Sequence, residues 1–91
     1  MTAVSATAGF DPQQLTAPAD TPLTVQLDNT DTAAPHNFAI KAATPDGKDW
    51  IGLPIAAPGQ KATYSAPPLP AGTYTFYCSV HANMTGTLTV Q

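Results

Sequence analysis

Ninety-one residues, 43% of them apolar, suffice for one small domain with a core of its own, and residues 1–91 are read here as a single domain. Three basic against six acidic residues give a net charge of −3, which excludes the clustered Lys and Arg of a nucleic-acid surface. A single cysteine excludes an internal disulfide, and no apolar run approaches the roughly 18 residues of a membrane span.

The opening "MTAVSATAGF" has neither a basic start nor a long apolar centre. It reads as lacking a signal segment, or as having had one removed so that Met1 is an expression start. The stretches "AVSATAGF" and "QQLTA" read as edge strands. "TPLTVQLDN" alternates Leu23, Val25 and Leu27 against Thr24, Gln26 and Asp28, the period of a half-buried strand. "DNTDTAAP" then reads as a loop, and "HNFAIKA" as a strand with Phe38 and Ile40 on one face. "TPDGKDW" and "AAPGQ" read as loops, with a short helical turn allowed between 42 and 56. "KATYSA" is a weaker strand around Tyr64, and "APPLPAG" a turn. "GTYTFYCSV" sets Tyr74, Phe76 and Cys78 on one face and Thr73, Thr75 and Tyr77 on the other; "TGTLTV" closes the chain with Leu88 and Val90 on one face. Seven to eight short strands separated by turns predict an all-β, antiparallel sandwich or barrel. Tyr74, just after "LPAG", is placed to hydrogen-bond back to the preceding loop as a tyrosine corner.

The chemistry concentrates in "YCSVHANM". Cys78, His81 and Met84 fall at intervals of three, in what reads as a tight loop between the last two strands. The one other histidine, His36, opens a strand about forty residues upstream; in a Greek-key sandwich such strands can be neighbours. A thiolate, two imidazoles and a thioether suit copper in either oxidation state, and a His₂Cys set with a weak Met describes a blue-copper centre. Zinc would accept Cys and His but has little use for the thioether, and magnesium or calcium would need oxygen ligands. No Ser-His-Asp set, phosphate-cradling glycine loop or carboxylate pair competes, so the chain is not expected to be an enzyme.

These residues resemble those of the cupredoxins, in particular the plastocyanin and amicyanin branch. "GFDPQQLTAPADTPLTVQLDNTDTAAPHNFAI" is similar to the family's first half, with a Phe-x-Pro entry and an Asn-x-Asp turn before the first ligand His. "AGTYTFYCSVHANMTGTLTV" is similar to its second half. The resemblance implies an eight-stranded Greek-key sandwich that carries single electrons between redox proteins outside the cytoplasm. By position it implies His36, Cys78 and His81 as the main copper ligands, Met84 as the weak axial one, and an Asn37 side chain bonded to Ser79. Tyr77 matches an outward-facing aromatic that serves as a remote electron-entry point, against the plain alternative of a surface ring. Val80 stands where many relatives have proline, and Asp20 where a turn glycine is common. An apolar docking patch is expected around His81, from Pro35, Val80 and Ala82, for transient redox partners; the protein is expected to be a monomer without a membrane span, with a tether upstream left open. A copper carrier or storage module, a domain of a larger redox protein, and a metal-free binding sandwich stand as alternatives.

Overall fold

A computed structural model describes residues 2–6, 9–44, 46–81 and 84–91. These form nine strands: β1 (Thr2–Ala6), β2 (Phe10–Asp11), β3 (Gln14–Ala17), β4 (Leu23–Asn29), β5 (Ala39–Ile40), β6 (Trp50–Ile51), β7 (Lys61–Ala66), β8 (Gly72–Tyr77) and β9 (Thr85–Val90). Two sheets, in the orders β2-β1-β4-β7 and β3-β9-β8-β5-β6, pack as a sandwich. Among the described residues no helix forms, including in the stretch between 42 and 56, where Trp50 and Ile51 instead make a short strand. Nor, among them, is any helix long and apolar enough to cross a membrane.

The alternating strands obey their period. In β4 the side chains of Leu23, Val25, Leu27 and Asn29 are buried while Thr24, Gln26 and Asp28 are half-buried. Leu88 and Val90 of β9 and Phe76 of β8 are buried from the second sheet. Three phenylalanines from separate segments meet between the layers, with ring centroids 5.1 Å apart for Phe10–Phe76, 5.0 Å for Phe38–Phe76 and 6.2 Å for Phe10–Phe38. The Tyr74 hydroxyl donates to the Pro70 carbonyl at 2.7 Å, so the tyrosine corner is present. Asp20 takes the left-handed conformation (φ 57°) that a glycine would adopt freely, and its short polar side chain tolerates it.

Two expectations are corrected. "AVSATAGF" is not an edge: β1 lies between β2 and β4, because the two-residue β2 covers its outer side. The "QQLTA" strand is an edge, as β3. The sandwich is also not wholly antiparallel, since β1 runs parallel to β4 and β3 parallel to β9. Both parallel pairs involve N-terminal strands whose partners are reached only after the chain has crossed between sheets, and that is the connection a parallel pair requires.

At Gly86 of β9 the ring of Phe76 and the carbonyl of Gln13 occupy the space of a side chain. Gly86→Ala is therefore expected to cost about 1–3 kcal/mol by overpacking, read as a lowered urea midpoint; an unchanged midpoint would show that the aromatic trio yields freely.

Candidate metal centre

The sheets bring two loops to one end of the sandwich. Cys78 is the first residue past β8, on the core side like Phe76 before it. Its loop is wound tightly: the His81 amide donates to the Cys78 carbonyl (3.2 Å), the Met84 amide to the His81 carbonyl (2.9 Å), and the Cys78 amide to the Met84 carbonyl (3.1 Å). Each candidate ligand in the loop is thus tied by its backbone to the other two. His36 comes from the other side, three residues before β5. It makes an isolated antiparallel bridge with Ala56, with N–H···O distances of 3.1 and 2.8 Å.

These constraints converge three donors. Nδ1 of His36 lies 3.7 Å and Nδ1 of His81 lies 4.0 Å from Sγ of Cys78. The donor atoms of His36, Cys78 and His81 all lie within 4.8 Å of one another. The two imidazoles are tilted at 49°, with centroids 4.9 Å apart. Burial is graded: Cys78 is fully buried, His36 is 2% exposed, and His81 is half-buried at the solvent edge, where its loop position places it. Met84 is buried in the same loop. Two nitrogens and a thiol sulfur at these separations form a mixed donor set of the kind that holds copper.

The side chain of Asn37 joins the two loops. Its Oδ1 accepts from the Ser79 amide at 2.8 Å, as the resemblance implied, and its Nδ2 donates to the Gly52 carbonyl at 3.0 Å. Two further supports were not foreseen. The Asp31 carboxylate lies 3.1 Å from Nε2 of His36. Its own pKa is held below the ordinary value by the Ala33 amide first and by the His36 ring second. Asn29 fixes the loop that leads to His36: its Nδ2 faces the carbonyls of Ala34, Ala56 and Ala57, and its Oδ1 accepts from the Asp31 amide. The signal available in the sequence was an asparagine at a core position of the β4 alternation, where an apolar residue belongs.

Tyr77 is corrected. It is neither an outward-facing port nor a plain surface ring. It is buried, its hydroxyl donates to the Asp49 carboxylate at 2.6 Å, and Nζ of Lys41 lies 5.5 Å from its ring centroid. The cause is the segment between β5 and β6. The Lys41 amide bonds the Thr75 carbonyl, and Asp49 bonds the Ala42 amide, which folds that segment over the outer face of β8.

A two-layer β sandwich with a Cys–His₂ donor set at one end defines a small metal-binding class of protein. The chain belongs to the cupredoxin-like domain family, whose model matches residues 2–90. Similar solved structures include a dithionite-reduced auracyanin from the photosynthetic bacterium Roseiflexus castenholzii, at 23% identity and TM-score 0.79, covering 98% of this chain and 94% of that one. A reduced Cu(I) form of an amicyanin variant shares 26% identity at TM-score 0.72, covering 99% and 81%. A purple cupredoxin from Nitrosopumilus maritimus shares 23% identity at TM-score 0.69, with both chains wholly covered. Among curated proteins, none matches this chain in sequence. Family and donor set together support one copper ion as the cofactor.

Burial and then the Asp49 hydrogen bond push the Tyr77 phenol up to about 12. A folded-state pKa above the ordinary tyrosine value means that the stability this group contributes is complete below pH about 10 and is lost as pH rises toward 12. Phenolate absorbance should show one tyrosine titrating near 12, and Asp49→Asn should bring it down. A Tyr77 midpoint that ignores Asp49→Asn would refute the pairing.

Proposed function

We propose that this protein is a blue-copper electron carrier in which Nδ1 of His36, Sγ of Cys78 and Nδ1 of His81 hold the copper and Met84 is the weak fourth ligand. The observation that supports this most is the convergence of the three donors, within 4.8 Å, from loops forty-two residues apart in the chain. Bound copper supplies a one-electron couple between its cupric and cuprous states. The chain's own part is to keep the donors in place through that change. The hydrogen-bonded Cys78–Met84 loop, the His36–Ala56 bridge and the Asn37 clamp each hold a ligand by its backbone or its neighbour's, so little has to move. With all four positions supplied by protein no place is left for a substrate, and we read the chain as a carrier and not an enzyme. The family's members suggest a place outside the cytoplasm, and we read residues 1–91 as one domain, acting as a monomer between transient redox partners.

The docking surface is proposed at the His81 end. Pro35 and Val80 are exposed beside the ligands, and Ala82 lies outside the described residues. The structure adds Leu53 (68% exposed) and Ile55 (42%), which the sequence did not single out. They lie on the segment that runs beside His36 and Phe38, through the Gly52–Phe38 and Ala56–His36 hydrogen bonds. Exposed apolar side chains there suit a small contact that forms and releases quickly.

Cys78→Ser tests the assignment. The wild type should take up one equivalent of copper(II), turn intensely blue and give a reversible one-electron voltammogram; the variant should lose the colour. A blue variant would disprove the thiolate ligand, and ready loss of copper from the wild type to a chelator would make the protein a metal carrier instead. Leu53→Asp tests the patch: it should slow electron self-exchange, measured by NMR line broadening, several-fold while leaving the fold intact. An unchanged rate would move the docking surface elsewhere.

A further inference from the structure

We infer that Asp31 is a positioning residue for the copper site: its carboxylate fixes His36 in the form that offers Nδ1, and its negative charge favours the cupric over the cuprous state. This inference rests on the copper reading above.

The geometry divides the His36 ring between two partners. Nδ1 faces the Cys78 sulfur at 3.7 Å, while Nε2 lies 3.1 Å from Oδ2 of Asp31. A neutral imidazole carries one N–H, and an ionised carboxylate can only accept. The proton therefore sits on Nε2, and the lone pair of Nδ1 points toward Cys78 and His81. Without an acceptor at Nε2 the ring could hold its proton on Nδ1, where it would block the donor the site needs.

The carboxylate is itself held in place. Oδ1 accepts from the amides of Ala33 (2.8 Å) and Ala34 (3.2 Å), which leaves Oδ2 for the histidine. The Asp31 amide donates to Asn29 and its carbonyl accepts from Gly59. Both oxygens are therefore in use. An asparagine, with one acceptor oxygen, cannot serve the loop amides and the His36 N–H together. The His36 side chain is 2% exposed and that of Asp31 24%, so the pair is partly shielded from water. There a fixed negative charge acts more strongly than it would in bulk solvent. Cupric copper carries one more positive charge than cuprous, so that charge stabilises the oxidised state more. A hydrogen bond that merely braced the loop would do neither.

Two measurements separate these roles. Nitrogen NMR of the copper-free protein should show the His36 proton on Nε2, with Asp31→Asn giving a mixture of the two tautomers. In the copper protein, Asp31→Asn should weaken cupric binding ~10-fold more than cuprous binding. For a one-electron couple that raises the reduction potential by ~59 mV, and Asp31→Glu should return it toward the wild-type value. A wild-type proton on Nδ1 overturns the inference. So does an Asp31→Asn variant that loses stability while its potential stays put. If the wild type bound no copper, the copper reading and the charge effect would fall together, while the tautomer comparison of wild type and Asp31→Asn, which needs no metal, would still decide whether Asp31 positions the ring.

Discussion

The site depends on one buried amide. Asn37 follows one candidate ligand, and Ser79, whose amide it binds, follows another. A single hydrogen bond therefore sets the separation of His36 and Cys78 from one residue away on each side. The other end of the same side chain binds the Gly52 carbonyl, while the Gly52 amide binds the Phe38 carbonyl. Three segments distant in sequence are joined where neither sheet's ladder reaches. An apolar residue at position 37 would leave the buried Gly52 carbonyl without a partner, at about 1–3 kcal/mol, and would free the part-buried Ser79 amide. Gly52 allows the approach, because a side chain there would meet the Phe38 carbonyl and the Tyr64 ring. Every group in the clamp belongs to the chain itself.

Burial then divides the labour among the donors. Cys78 lies in the apolar layer that holds Phe38 and Phe76 and His36 is buried, while His81 reaches the surface next to the exposed Val80. An apolar shell of this kind limits water at the inner donors. In the proposed carrier the outer imidazole is the short way from the site to a partner. The opposite flank of the cysteine is closed, since Tyr77 lies beneath Lys41 and is held by Asp49. Of the two flanks, only the His81 side reaches solvent, which agrees with the docking face proposed for the carrier.

How much of this could be read from the sequence follows from the range of each signal. The β4, β8 and β9 strands announce themselves because a period of two is local. The direction of their partners does not, since alternation is the same for parallel and antiparallel neighbours; the parallel β1–β4 and β3–β9 pairs are set by topology. Whether β1 is an edge turns on β2, two residues long, too short to register as a period. The Cys78, His81 and Met84 cluster was legible because one loop holds it, and His36 because the chain has no other histidine to offer. Asp31 and the burial of Tyr77 were not, because each depends on what another segment places against it: the His36 ring in one case, the Lys41–Asp49 segment in the other.

The inward-facing Asn29 shows why the support around His36 is polar at all. At Asn29 the chain leaves the first sheet for the second; of the carbonyls it meets there, those of Ala56 and Ala57 also accept from the His36 and Gln60 amides, while that of Ala34 lies outside both ladders. Buried backbone groups in that position must find partners. The Asn29 amide gives its two N–H groups to those three carbonyls and takes the Asp31 amide in return. The turn thus held presents the Asp31 carboxylate to His36, and Ala56, one of the carbonyls it binds, is the bridge partner of that same histidine. The place of the first donor is therefore a consequence of how the fold satisfies its backbone at a sheet crossing. A leucine at position 29 would suit the alternation of β4 and remove the side chain that holds the turn presenting Asp31 to His36.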